Sequence, residues 1–553
     1  MSTSNTQHDL ALDAIRAVVG EPHVHRSPDA LGHYARTTGT TGTTPTAIVC
    51  PESTEQVQRI VRIAARHRLP LYPISRGRNF GYGDANAPTP GQVIVDMQRM
   101  NRIVAVNDDL AYCVIEPGVT QGQLADHLQQ HFPDLMMDCT GAGRDASLVG
   151  NTLDRGFGHT PYGDHFLHTC GIKVVLADGS VLDTGFDAFA NARSGRVYRY
   201  GVGPFLDGLF CQSNYGIVTE IGLWLMPRPE AFCAFFFSVD REDDLERVVG
   251  RLAPLRRSDI LKSAIHIGND LRILSSKLTY PYDRTDGQMP LPDAVRCQLR
   301  QEHGLGLWMG AGSIEGPADI VKATKRQIRK ALAPIKPIFI DEKRYARANS
   351  LVSLLNRFGI AKSLAGRLAA IRPALDLMQG IPTDEPLGGA SWRLPQPLEP
   401  DFNDPLDTDA GLMWVSPVLP MTGKDVRRVV DLVEPIYARH GFECPITFTL
   451  INQRAIIAIT NIFFDKSDPT QAAAAEACYD ELITALIQAG YPPYRTGPRC
   501  YPKLQKHAPE LFQLSGRIKS LLDPQNILSP GRYIDPAPAK TPQSAPSTSI
   551  NRD

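Results

Sequence analysis

The sequence predicts an α+β protein of two domains, and three observations predict it. Residues 1–228 alternate short strands with helices and glycine-rich loops, whereas residues 229–499 carry longer helices separated by alternating apolar and polar runs. The segment Leu223 to Met226, followed by Pro227-Arg228-Pro229, punctuates the change. At 553 residues the chain is long enough for two to four domains of roughly 150 residues each.

Near the N-terminus, Ser53 and Gln56 form a capping box, and Val57, Ile60, Val61 and Ala64 then share one helical face that ends near His67 and Arg68. Leu71 to Ile74, Val93 to Met97 and Ala111 to Glu116 read as strands, the last closed by Pro117-Gly118. Gln121 to Phe132 reads as a helix. Lys173 to Asp183 reads as a hairpin, because Asp178-Gly179 supplies the positive φ of a tight turn. Beyond residue 229, helices are predicted over Asp243 to Leu255, Ala318 to Ile335, Thr422 to His440 and Ala472 to Ala489, with Ile446 to Leu450 a strand. The Pro-rich stretch Leu394 to Asp409 is expected to be a surface excursion, residues 500–534 to return to the first domain, and residues 535–553 to be a disordered tail.

Formal net charge is −1, so no general attraction to nucleic acid or an acidic membrane is expected. No run of about 18 apolar residues reads as a membrane span. The first ten residues lack a basic segment followed by an apolar run, and the ten cysteines form no CxxC pair. Together these lead us to expect a cytoplasmic protein with reduced thiols.

Two glycine-rich segments carry the functional signal. Pro73 to Gly83 follows a strand and contains Gly77, Gly81 and Gly83, so its backbone can approach a ligand and its N–H groups can cradle a phosphate. It matches neither GxGxxG nor GxxxxGK[ST], and a plain surface turn is the competing reading. Ser147 to His165 holds four glycines and few large apolar anchors, which suits the wall of a cofactor site. His159, His165 and His168 lack the spacing of a metal site, so no metal is expected, and a backbone-bonded or flavin-adjacent role is preferred.

These segments resemble the vanillyl-alcohol oxidase and p-cresol methylhydroxylase flavoprotein family. The resemblance continues through Gly201 to Thr219, Met378 to Pro382, Gly490 to Arg495 and Asp523 to Arg532, and spans about residue 45 to residue 534. It implies an FAD-binding (PCMH-type) domain built from both chain ends and an α+β substrate cap in the middle. By this resemblance Ile74, Ser75, Arg76, Gly77, Arg78, Asn79, Gly81, Tyr82 and Gly83 bind the FAD pyrophosphate. Ser147, Asn151, Arg155, Gly158, Tyr162 and Gly163 line the flavin, Ile217 and Val218 contact the adenine side, and Arg532 approaches the ring system.

The resemblance also implies chemistry. Family members bind a para-substituted phenol as phenolate, and hydride leaves its benzylic carbon for flavin N5, giving a p-quinone methide. Tyr82, Tyr494 and Arg495 fall at the phenolate-binding positions, where two hydroxyls and a permanent cation favour the anion. Three departures qualify the transfer. The tether positions carry Leu412 and Ala390, so FAD is expected to be non-covalent. The positions of the active-site acid carry Gly141 or Ala142 and Thr447, with Asp138 or Asp145 as replacement bases. The paired cap histidines are replaced by Ile456 and Ile457, which implies a more apolar pocket and a specialised aromatic substrate. Two other readings remain open: an FAD enzyme of the same fold acting on a non-phenolic alcohol or hydroxy acid, and a catalytically inert flavin-binding subunit. A homodimer or larger oligomer is implied; a cytochrome partner is compatible with the family but not indicated.

Overall fold

The computed structural model describes residues 3–356, 362–396 and 402–537. Three sheets organise it. The first has four strands in the order Val24–His25, Ala47–Val49, Val93–Asp96 and Leu71–Ile74. The last three are parallel, so a crossover must join them. The helix Thr54–His67 supplies it and buries Val57, Ile60, Val61 and Ala64 against the sheet side of the core. Ser53 Oγ accepts from the Gln56 N–H at 3.3 Å, while Gln56 Oε1 accepts from the N–H of Glu52 rather than that of Ser53.

The second sheet is antiparallel, with five strands in the order Ile103–Asn107, Tyr112–Ile115, Gly216–Trp224, Thr169–Leu176 and Val181–Asp183. Its last pair is the hairpin expected at Asp178-Gly179, with Gly179 at φ 77°.

The third sheet has eight strands drawn from between Ala231 and Asp465. Helices Glu242–Arg257, Ala318–Leu332, Gly423–Arg439 and Pro469–Gln488 share one core with it. The helix from Ala318 ends before Ala333, because Pro334 disfavours helical backbone at the residue before it. The strand Ile446–Leu450 shows how this sheet separates its faces. Ile446, Phe448 and Leu450 enter the helix-side core, so Thr447 and Thr449 point to the opposite face, toward the first two sheets.

The C-terminal segment closes on the first sheet. Leu71 donates to the Ile527 carbonyl at 2.7 Å and accepts from Ser529 N–H at 2.7 Å. Lys519, fully buried, fixes the turn through Asp523 at 2.6 Å and the carbonyls of Asn214 and Leu528 at 2.8 and 2.9 Å. This closure delivers Arg532 to the loop after Leu71–Ile74.

One expectation is corrected. The described flanks of the 394–409 stretch are only partly a surface excursion: Pro395, Gln396, Asn403, Asp407 and Asp409 are exposed. Leu394 and Pro405 are buried, and Phe402 and Leu406 pack with Trp392 and Leu412. The apolar side chains in this Pro-rich stretch find a core that loop composition alone does not reveal. Residues 397–401 of that stretch, and 538–553 of the expected disordered tail, lie outside the described residues.

Candidate active site

The loop after Leu71–Ile74 is stitched to the strand Ala410–Val415 of the eight-stranded sheet. Gly81 adopts φ 75°, and a Cβ there would overlap the indole of Trp414. Trp414 donates from Nε1 to the Phe80 carbonyl at 2.9 Å and from its backbone N–H to the Gly81 carbonyl at 3.4 Å. Tyr82 is buried, stacks on Trp414 at 6.3 Å, and shares a 2.6 Å hydrogen bond with Ser416 Oγ.

Around Tyr82 lies a network centred on Asp154. The Arg495 guanidinium lies 4.4 Å over the Tyr82 ring and donates to Asp154 at 2.8 Å and to Asn79 Oδ1. Asn79 Nδ2 and the Tyr533 hydroxyl also donate to Asp154, at 3.3 and 2.9 Å. Arg532 Nη2 is 3.9 Å from the same carboxylate, and its Nη1 donates to the Tyr82 carbonyl at 2.9 Å. Two guanidiniums around one carboxylate leave the cluster with net positive charge. Tyr494 holds its backbone against Ser416 at 3.1 Å and Gln212 at 2.9 Å, and packs its ring 6.1 Å from Phe157 beside Ile457. Tyr82 and Arg495 touch, and the Tyr494 hydroxyl lies close enough to bear on both.

The electrostatics reflect burial and these pairs. Burial raises the Asp154 carboxyl, but Arg495 and Arg532 outweigh it and hold the group below the usual range. Burial lowers Arg495, but Asp154 outweighs it and keeps the guanidinium charged. Burial pushes both tyrosine hydroxyls up, opposed by Arg495. Both remain neutral donors at pH 7.

The cap side differs. Arg272, one turn into the helix Asp270–Ser275, runs its stem past Gly268 and Thr447 and its head past Gly389. Its guanidinium lies 5.7 Å over the Trp414 ring. Ala390 and Leu412 are both buried nearby in the Trp392 cluster. Ile456 lies in the helix-side core, while Ile457 faces Phe157 and Tyr494.

The remaining expected residues divide. Ser75 lies against Gly150. Ser147 caps the helix Leu148–Leu153 and donates to the Pro117 carbonyl at 2.7 Å. Asn151 Oδ1 is 2.6 Å from His165 Nδ1, and Arg155 adopts φ 54°. Gly158 and Gly163 close a turn, N–H of Gly158 to the Gly163 carbonyl at 2.9 Å, and Tyr162 stacks on His168 at 3.9 Å. Gly83 has φ 120°, Gly77 φ 68°, and Ile74 ends its strand in the core. Arg78 turns to Phe80, Asp145 and the Asn403 carbonyl. The side chains of Ile217 and Val218 enter two hydrophobic cores, so any contact they make outside must use backbone.

The two base candidates differ as well. Asp145 is 57% exposed and turned toward Arg78 at 3.5 Å, which removes it from the Tyr82 cluster. Asp138 is buried, accepts from the N–H groups of His159 and Thr160 at 3.1 and 2.9 Å, and pairs with His165 at 2.7 Å. Burial raises it, but His165 outweighs that and holds it low. His159 and His266 lie 4.4 Å apart and are kept neutral by burial, His159 at about 4. Among the described residues no group of three or more side chains could hold a metal ion.

Arg76 Nε and Arg532 Nε are buried donors with no acceptor among the described residues. Arg76 lies in the glycine loop and Arg532 bonds the Tyr82 carbonyl at its far end, so both fit a bound group rich in anionic and carbonyl oxygens.

Comparison with known proteins agrees. Residues 45–185 match the FAD binding domain family and residues 455–533 the C-terminal domain of FAD linked oxidases. The chain is 37% identical to the 1'-carboxy-chondrochloren decarboxylase of Chondromyces crocatus over 534 residues, 96% of this chain and 98% of that protein. It is 31% identical to the 4-cresol dehydrogenase [hydroxylating] flavoprotein subunit of Pseudomonas putida over 530 residues, 95% of each. The structure of p-cresol methylhydroxylase with substrate bound superposes with a TM-score of 0.85 at 30% identity, covering 96% of this chain and 97% of that one. The chain belongs to the p-cresol methylhydroxylase family of FAD-dependent oxidoreductases. Its fold is that family's two-domain FAD-binding fold, and its cofactor is FAD. Among the described residues no helix is long and apolar enough to cross a membrane.

Sequence reasoning missed Asp154, Trp414, Ser416, Tyr533 and Arg272. Asp154 stands inside the glycine-rich run with no apolar neighbour on its C-terminal side, a signal that could have marked it. Arg272 carries none, since a basic residue after Asn269-Asp270 reads as an ordinary solvated helix start.

Proposed function

We propose that this FAD enzyme oxidises a para-substituted phenol, held as phenolate by Tyr82, Tyr494 and Arg495. The convergence of these three side chains within one buried, net-positive cluster is the observation that carries the reading. FAD, when bound, supplies the two-electron acceptor for hydride from the benzylic carbon. Ile74 to Gly83, Ser147 to Gly163 and Arg532 hold it, and Ile217 and Val218 meet its adenine side through backbone. Residues 1–228 and 500–534 form the FAD unit and 229–499 the cap. Tyr82 and Tyr494 donate to the phenolate oxygen, and Arg495 stabilises its charge.

The flavin is held without a covalent bond, because Leu412 and Ala390 have no nucleophile. Acid precipitation should leave flavin in the supernatant; flavin in the pellet would overturn this. The ten cysteines are all free thiols, which supports action in a reducing compartment such as the cytoplasm.

A second reading concerns the step after hydride loss. Thr447, Gly141 and Ala142 offer no base to activate water, and a relative at 37% identity is named a decarboxylase. If the carbon beside the benzylic position bears a carboxylate, its C–C bond to that group breaks once the quinone methide has formed. The bonding pair closes a C=C bond and restores the phenolate, and CO2 leaves. No water and no protein base are required.

The test is anaerobic mixing of the FAD-loaded enzyme with para-alkylphenols and with 3-(4-hydroxyphenyl)propanoate. Bleaching of the flavin by a phenol is expected. Bleaching by 2-hydroxy acids alone would replace the phenol with an aliphatic substrate. A photoreducible flavin that no compound bleaches would mark an inert subunit.

A further inference from the structure

Arg272 differs from Arg256, Arg393 and Arg495. Arg256 donates to the carbonyls of Leu261, Ser263 and Ile451 at 3.0, 2.9 and 2.7 Å. Arg393 pairs with Glu443 at 2.8 Å, and Arg495 with Asp154 at 2.8 Å. Among the described residues the Arg272 guanidinium has no hydrogen-bond acceptor and no carboxylate partner. It keeps part of its accessible surface although protein encloses it, the combination expected of a side chain lining an internal cavity.

Its position is defined by contact. Arg495 lies over Tyr82, Tyr82 stacks on Trp414, and Arg272 lies over Trp414. The same rings that connect the phenol site to the cap therefore end on a second cation. Gly389 packs beside its head: a Cβ there would stand 3.8 Å from Nη1 and 3.6 Å from the Ser275 carbonyl, ordinary contact distances. Burial alone pulls its pKa down to about 10, so it stays charged at pH 7. A cation–π contact offsets only part of the cost of enclosing an unpaired charge. A buried cation that no described group neutralises marks where an anionic ligand belongs.

We propose that Arg272 binds a carboxylate on the substrate's para side chain, so that the enzyme's substrates are phenols bearing a carboxylate at the cap end. A planar guanidinium over an indole matches the two-oxygen fork of a carboxylate better than a tetrahedral anion that needs several donors. The inference rests on the phenol reading above, and it supplies the carboxylate that the decarboxylating branch consumes.

The test is titration of FAD-loaded protein with 4-ethylphenol and with 3-(4-hydroxyphenyl)propanoate, read as perturbation of the flavin spectrum. In wild type both bind. In Arg272→Gln, Kd for the propanoate rises on the order of 30-fold or more while Kd for 4-ethylphenol stays within about twofold. Arg272→Lys, which keeps charge but not the fork, recovers part of the loss. Equal weakening of both ligands, or no change in either, would overturn the proposal, as would wild type that binds 4-ethylphenol but not the acid; those results leave the phenol reading standing. Wild type that retains FAD and binds neither phenol removes the phenol reading itself, and this proposal with it.

Discussion

The two ends of the site treat buried charge in opposite ways. At the Tyr82 end, Arg495 and Arg532 share Asp154, which also receives Asn79 and Tyr533. At the cap end, Arg272 faces Trp414, Thr447 and Gly389 without a counter-ion among the described residues. A compensated network is rigid before substrate arrives, so it can fix the position of a phenolate oxygen. An uncompensated cation costs stability in the free protein and recovers it when an anion binds. The first arrangement serves orientation and the second serves selection.

Removing the compensation should have the largest effect. Asp154→Asn leaves two enclosed guanidiniums with one weak acceptor, and unfolding free energy should fall by about 3–5 kcal/mol, read from urea midpoints. A shift below about 1 kcal/mol would mean that solvent reaches the cluster. Arg495→Met should cut kcat/KM for a phenol by two to three orders of magnitude, on the order of 3–4 kcal/mol, with FAD still bound. Smaller again, Tyr82→Phe and Tyr494→Phe should each cost on the order of tenfold in kcat/KM, one neutral hydrogen bond to an anion. Indifference to both changes would discard the phenolate. At the cap end the sign reverses: Arg272→Met should raise the unfolding midpoint of the ligand-free protein or leave it unchanged, a gain of about 1 kcal/mol at most. A fall comparable to that of Asp154→Asn would show the two ends to be alike.

What the sequence made legible was local. The hairpin at Asp178-Gly179, the capped helix from Ser53 and the alternation of Ile446 to Leu450 depend on neighbours a few residues apart, and each formed where expected. The three residues proposed to hold the phenolate were expected only through resemblance to a known family, because Tyr82 and Arg495 meet across most of the chain. The pairing of Arg495 with Asp154 spans 341 positions and exists only once the C-terminal segment has closed on the first sheet. Arg272 was invisible for a related reason. Its surroundings arise from the register that sets Gly268 opposite Thr447 and from the strand Ala410–Val415, neither of which leaves a trace in residues 265–276. The inward packing of Phe402, Pro405 and Leu406 was hidden by composition, since a Pro-rich, acidic stretch reads as solvated until a core is offered to it.

The smallest expected effect extends the comparison to a buried charge of the other sign. Glu315 lies on the strand Trp308–Gly316, and burial lifts its carboxyl to about 7, with nearby Asp138 adding to the rise and Lys262 opposing it. In the unfolded chain the same group titrates near about 4.3. The folded state therefore holds the proton more tightly than the unfolded state. The stability this contributes is complete below about pH 4.3 and is lost as pH rises through about 7. The carboxyl keeps some solvent contact, so the loss should be about 1 kcal/mol rather than the full value of the shift. Glu315→Gln cannot ionise, so its unfolding midpoint relative to wild type should climb between about pH 5 and about pH 8 and level off above. Parallel profiles for the two proteins would mean that Glu315 is as well compensated as Arg495.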